Sequence, residues 1–136
     1  MTACRVLLLC AFCVGCHGQK TDAPPTGTGT ESLHDLMENM EQAAKPLLSR
    51  APGAPLTQQE VPALVAAAKK TSALAATVKN RFASKQPPSF AGYSDQLEQG
   101  LQQVLAALTA QDAKAVQAAG QSVGSACGSC HKEFKQ

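Results

Sequence analysis

Apolar residues recur every three or four positions along several segments of the chain after residue 30. The first segment is predicted to run from about Glu31 to about Arg50. Its apolar positions are Leu33, Met37, Met40, Ala44 and Leu47. Residues with this spacing lie on one face of an α-helix, so the segment is predicted to be an amphipathic helix.

Three further segments show the same periodicity. The second predicted helix runs from about Thr57 to about Ala83 and begins at the capping-box sequence Thr-Gln-Gln-Glu. Because Pro62 fits only the first turn of a helix, a start a few residues later is also compatible with the pattern. The third is predicted from about Ser94 to about Ala110. The fourth follows Asp112, whose side chain is expected to cap it.

The apolar faces of the last two segments extend the pattern to the end of the chain. In the third segment they comprise Leu97, Leu101, Val104, Leu105 and Leu108. In the fourth they comprise Val116, Ala119, Val123, Cys127, Cys130 or His131, and Phe134. Four amphipathic helices predict an all-α fold, an antiparallel four-helix bundle. The longest connection, of about ten residues, is expected between the second and third helices.

Composition supports this fold class and excludes one function. Hydrophobic residues make up 44% of the 136 residues and charged residues 16%, which suits a single domain with a buried core. Aromatic residues make up only 4%, which disfavours a strand-rich core. The formal net charge of +2, with no run of Lys or Arg, does not favour nucleic-acid binding.

The first fifteen residues are predicted to be a signal peptide. Arg5 is a short positive region, and the apolar stretch Val6–Gly15 follows it. This stretch is too short to span a bilayer as a mature helix. We therefore expect export of the protein to the periplasm.

The residues around Cys16 resemble a bacterial lipobox, in which the cysteine becomes the lipid-modified first residue. The resemblance is imperfect because Cys13 stands where Leu is preferred. Residues 16–30 are rich in Pro, Gly and Thr and are predicted to be a flexible tether. We expect a lipid anchor at Cys16 and a folded domain over 31–136, and ordinary cleavage that releases a free protein is the alternative.

The chemistry of the chain is concentrated in the sequence Cys-Gly-Ser-Cys-His at 127–131, the attachment signature of c-type haem. On a helix, residues three and four apart share one face. Cys127 and Cys130 can then form thioethers with the two haem vinyl groups while His131 ligates the iron. We predict one covalently bound haem c.

Other interpretations of the motif are weaker. A zinc site needs about four ligands, and apart from the motif only His34, Cys16 and His17 are candidates. A thioredoxin-like cysteine pair needs a βαβ setting, which a helical chain lacks. The residues at 13–17 also match C-x-x-C-H, but they straddle the predicted cleavage site. One haem is therefore expected, not two.

An exported four-helix bundle with C-x-x-C-H close to its end resembles the class II c-type cytochromes, the cytochrome c prime and cytochrome c-556 family. The resemblance covers residues 31–136 and includes the ending Cys-Gly-Ser-Cys-His-Lys-Glu-Phe-Lys. It implies one haem within the bundle, with His131 as the proximal iron ligand. It also implies that the first helix supplies the distal side.

The distal residue in that family distinguishes two activities. An apolar residue leaves the iron five-coordinate, whereas a methionine gives a six-coordinate electron carrier. Alignment with the family pattern places Met37 at this position, and Met40, His34 or no protein ligand are the alternatives. Many gas-binding relatives have an arginine one turn earlier, where this chain has Leu33.

The resemblance implies a non-enzymatic protein that transfers single electrons in the cell envelope. The expected partners of this protein are periplasmic or membrane redox proteins, and the resemblance is also compatible with a homodimer. Two alternatives stay open: a five-coordinate haem protein that binds NO or CO, and a haem-free lipoprotein that serves as an interaction bundle. Charged residues of the first two helices are candidates for steering a partner. They are Lys69, Lys70, Lys79, Arg81, Lys85, Asp35, Glu38 and Glu41.

Overall fold

The computed structural model describes residues 29–134, which form four α-helices and no strand. The helices are α1 (Leu33–Leu48), α2 (Val61–Phe82), α3 (Pro88–Thr109) and α4 (Ala113–Phe134), with a 3-10 turn at Ala83–Lys85. The predicted all-α class and the four-helix bundle are confirmed. The predicted signal peptide, Cys16 and nearly all of the predicted tether lie outside the described residues.

The helices surround one core in the order of the chain. Each helix packs against the next, and α4 returns to α1, whereas the diagonal pairs of these four helices do not contact each other. The contact between α1 and α4 is much smaller than the other three. These two helices therefore border the most open side of the bundle.

Side-chain caps explain where α1 and α4 begin. The backbone N–H of Asp35 donates to Ser32 Oγ over 3.1 Å, and the backbone N–H of Ser32 donates to Asp35 Oδ2 over 3.0 Å. This reciprocal pair is a capping box. The hydrogen bonds from Ser32 stabilise the carboxylate and lower the pKa of Asp35. Asp112 Oδ1 accepts from the backbone N–H of Ala115 over 3.0 Å, as the sequence predicts.

The predicted capping box forms, but it lies in the turn before α2 and not in the first turn of the helix. The side chains and backbone N–H groups of Thr57 and Glu60 are hydrogen bonded in both directions. The helix itself begins at Val61, which places Pro62 in the first turn, where its missing N–H costs nothing. The second helix therefore begins a few residues after Thr57, which was the alternative compatible with the sequence pattern.

Two predictions about α3 are wrong. The helix begins at Pro88, six residues before the predicted start, because Pro88 occupies the first helical position, where proline is favoured. The connection from α2 is accordingly short. The longest connection instead lies between α1 and α2, over the twelve residues 49–60.

The core contains most of the predicted apolar positions, and the partly buried ones that pack against it are Leu33, Leu105, Cys127, Cys130 and Phe134. It also includes Leu36, which is 0% exposed and was absent from the predicted face of α1. Because α1 packs against both α2 and α4, its buried face is wider than one narrow line of residues.

Replacing Gly100 by alanine should lower the free energy of unfolding by about 1 kcal/mol, although alanine favours helices. A Cβ at Gly100 would lie 3.0 Å from Cγ2 of the fully buried Val123 and 3.4 Å from its backbone nitrogen. Because Val123 is buried and one of these contacts is to its backbone, we expect α3 and α4 to be pushed apart. Urea unfolding followed by circular dichroism measures the change.

Gly92 is the matched control, because it lies in the same helix and a Cβ there would meet no atom within 4 Å. Gly92→Ala should raise the free energy of unfolding by about 0.5–1 kcal/mol. Equal stabilisation by both substitutions would show that α3 and α4 are not in such close contact.

Candidate functional site

A cavity lies at the end of the bundle where α1 and α3 begin and α2 and α4 end. It has about 410 Å³ of empty space, including the part that opens to solvent. All four helices line it. The lining side chains are Met37, Met40 and Glu41 of α1, Ala75 and Val78 of α2, Tyr93, Ser94 and Leu97 of α3, and Ala126, Cys127, Cys130 and His131 of α4. Most of these side chains are apolar, so the lining favours an apolar group.

The Cys-Gly-Ser-Cys-His sequence is part of the last two turns of α4. Cys127, Cys130 and His131 all line the cavity, whereas Gly128 and Ser129 are exposed on the outside. Both cysteines are free thiols, and the His131 side chain is 23% exposed. The helix therefore presents two thiols and one imidazole to the same space, which is the common face that their spacing predicts.

The surroundings of the two thiols disfavour disulfide chemistry of the thioredoxin kind. Burial, and then the charge of Glu41, raise the pKa of Cys127. Burial, followed by the effects of Cys127 and Glu133, raises the pKa of Cys130 to about 11. Reactive redox cysteines have lowered pKa values, because the thiolate is the nucleophile.

Two methionine side chains of α1 face the motif across the cavity. Met37 is 1% exposed and Met40 is 7% exposed, and both line the space. His34 does not line the cavity. Its side chain is 48% exposed, and its Nε2 lies 3.3 Å from Glu38 Oε1, one turn further along α1. Of the three candidate distal ligands, the structure brings the two thioethers to the site and leaves the imidazole outside.

Glu41 is a residue of the site that sequence analysis missed, since it was considered only as part of a charged surface. Its Oε2 lies 3.8 Å from Nδ1 of His131. It is the only acidic side chain among the residues that line the cavity. Sequence analysis could have found Glu41 from its position one turn after Met37, because residues four apart share one helix face.

Aromatic side chains close the cavity beside Cys130. Phe90 is fully buried, and its ring meets that of Phe134 edge to face with centroids 5.0 Å apart. Tyr93 packs against Phe134 at 6.4 Å, and the nearby Glu133 carboxylate raises the pKa of Tyr93 by favouring its protonated form. These contacts fasten the end of α4 to the start of α3 and so hold the motif in position.

Some of the basic side chains that were candidates for steering a partner form contacts within the molecule instead. Lys79 forms ion pairs with Asp95 and Glu98 of α3. These pairs raise the pKa of Lys79, mainly through the Asp95 hydrogen bond. Arg81 donates to two backbone carbonyls that precede α1, and Lys85 lies in the 3-10 turn rather than in α2. The charge offered to a partner by this side is therefore smaller than the sequence suggests.

The donor set and the apolar walls fit a haem. Two thiols and an imidazole on α4 could hold a c-type haem, and the thioethers of Met37 and Met40 line the same cavity from α1. A four-helix bundle that has C-x-x-C-H near the end of its last helix is the arrangement typical of class II c-type cytochromes.

Comparison with known proteins supports this class. The family model described as Cytochrome C' matches residues 69–135, which span the later part of α2, all of α3 and the motif in α4. Over these residues the chain is similar to the Cytochrome C' family, which implies haem binding. No curated protein and no solved structure matches the chain. The match does not include α1, which carries Met37 and Met40.

Proposed function

We propose that the protein is a one-electron carrier that holds one haem c through thioethers from Cys127 and Cys130. His131 is the proximal axial ligand and Met37 the distal one. The observation that supports a carrier most directly is the pair of buried methionines opposite the motif. A gas-binding site needs an open axial position, whereas a thioether in this place supplies a sixth ligand.

Each residue of the site has a separate role in this proposal. The bound haem would supply an iron centre that gains and loses one electron. The thioether bonds from Cys127 and Cys130 would keep it attached outside the cell, and iron ligation by Met37 sulfur and the His131 imidazole would favour reduced iron and raise the potential. The apolar side chains of α2 and α3 exclude water from the site.

The family contains electron carriers and gas-binding haem proteins rather than enzymes, and electron transfer without catalysis is our proposal. Export to the periplasm, a lipid anchor at Cys16 and a redox partner in the periplasm or membrane belong to the same proposal. Cys16 lies outside the described residues. None of the four described helices is long and apolar enough to cross a bilayer. A homodimer is a further part of the proposal that ultracentrifugation can test.

Spectroscopy of the purified protein tests the proposed function. Protein from a host with cytochrome c maturation should contain one covalent haem per chain. The ferric form should be low-spin and show the weak near-infrared band of sulfur–iron ligation, and the ferrous form should bind CO slowly. A high-spin spectrum with fast CO binding would instead support the gas-binding alternative. Colourless protein would support the haem-free interaction bundle.

A further inference from the structure

Arg81, near the end of α2, holds the chain that precedes α1. Its guanidinium Nη2 donates to the backbone carbonyl of Glu31 over 2.7 Å and to that of Gly29 over 3.1 Å. Hydrogen bonds from a charged donor are stronger than those between neutral groups. The side-chain amide of Asn39 on α1 also donates to Glu31 Oε1 over 3.4 Å. Because Glu31 is held from both helices, the chain is fixed to the folded domain as far back as Gly29.

This attachment point lies at the haem end of the bundle, which is the end that contains the cavity and the motif at 127–131. α1 begins and α2 ends there, and the motif is part of the last two turns of α4, which ends there too. The connection over 49–60 lies at the opposite end. A helix of 22 residues, such as α4, is about 33 Å long, so the two ends are well separated.

The predicted tether is shorter than the bundle. Cys16, the proposed site of lipid attachment, lies thirteen positions before Gly29 in the sequence. A flexible chain of that length has a root-mean-square span of about 20 Å, and its fully extended length is about 45 Å. If the bundle stood on its opposite end, Gly29 would be about 33 Å above the membrane surface, which is well beyond the typical span of the tether.

We propose that the lipid anchor and Arg81 together hold the haem end of the domain toward the bilayer, and that this end meets a redox protein embedded in the same membrane. The inference rests on the proposed haem and lipid anchor, and it adds which end of the bundle is the interaction surface. A partner in the same membrane is held at a high effective concentration by the short tether, whereas a soluble partner gains nothing from it.

Spin labels near the two ends of α3 measure the orientation. Gly92→Cys introduces a thiol at the haem end and Ala110→Cys introduces one at the opposite end, and both positions are exposed. In the mature haem-loaded protein these are the only thiols to label, since Cys16 would carry lipid and Cys127 and Cys130 would be bonded to haem. Each protein is measured in vesicles with and without a gadolinium-chelating lipid, so that the contribution of the haem cancels. The gadolinium lipid should relax the Gly92 label several times more strongly than the Ala110 label.

A longer tether tests the orientation through the sign of its effect on electron transfer. Insertion of about forty Gly and Ser residues before Gly29 raises the root-mean-square span to about 40 Å, which exceeds the length of the bundle. Ferrous protein on vesicles passes one electron to a ferrocenium group linked to a lipid of the same membrane. This step should become about eightfold slower, because effective concentration falls as the −3/2 power of tether length. Oxidation by soluble ferricyanide is the control and should be unchanged.

Relaxation that is equal at the two labels, or stronger at Ala110, would overturn the proposed orientation. An unchanged or faster oxidation by the lipid-linked ferrocenium in the protein with the longer tether would also overturn it, since the short tether would then not hold the haem near the bilayer. Either result in protein that contains haem leaves the proposed electron carrier intact. Mass spectrometry that shows no lipid on Cys16 would refute this inference and the anchor, but not the haem. An unstained haem gel would refute the proposed function as well.

Discussion

Replacing Cys127 and Cys130 together by alanine should abolish covalent haem attachment completely. Both thiols line the cavity, and a c-type haem is attached only through such thioethers. The variant should also unfold at a lower temperature, because the folded state would lose the stabilisation that a bound apolar group supplies. A denaturing gel stained for haem measures attachment, and thermal circular dichroism measures stability.

Ser129→Ala is the matched control for the double variant. Ser129 lies between the two cysteines on the same helix, but it is exposed on the outside of the bundle. The haem stain should therefore be unchanged. Cys13→Ala, in protein that is still exported and processed, should also retain the stain. A stained band in the Cys127/Cys130 variant, or loss of the stain in Cys13→Ala, would contradict attachment of one haem at 127–131.

Met37→Leu should convert the ferric protein from low-spin to high-spin and remove the near-infrared sulfur band. Leucine fills nearly the same volume as methionine, so packing changes little while the sulfur is lost. In the wild type, CO must displace the sulfur ligand before it can bind the iron. The ferrous variant should therefore bind CO about tenfold faster, which corresponds to a barrier lower by about 1.4 kcal/mol. Absorption spectroscopy and stopped-flow mixing with CO measure the two effects.

Met40→Leu provides the comparison, since Met40 lines the same cavity from the next turn of α1. This variant should keep the sulfur band and the slow binding of CO. If Met40→Leu alone loses the band, the distal ligand lies one turn further along α1 than proposed. If neither variant changes the spectrum of a low-spin wild type, methionine ligation from α1 is wrong.

Several features of this fold could be predicted because they depend on neighbours in the sequence. The capping residue Asp112 and the shared face of Cys127, Cys130 and His131 follow from helix geometry alone. The start of α3 was predicted less accurately than these features. The apolar pattern is weak before Ser94, and the burial of Phe90 depends on its contact with Phe134 at the end of α4.

The sequence by itself determined four helices, a bundle and the residue types needed for one haem, since the spacing of residues along a helix follows from its local geometry. Only the tertiary structure decided which side chains meet. It brought Met37 and Met40 to the cavity and left His34 exposed. It also placed Glu41 beside His131, a contact between the first and last helices that no local pattern encodes. The physical reason is that such contacts depend on how α1 and α4 pack around a common core.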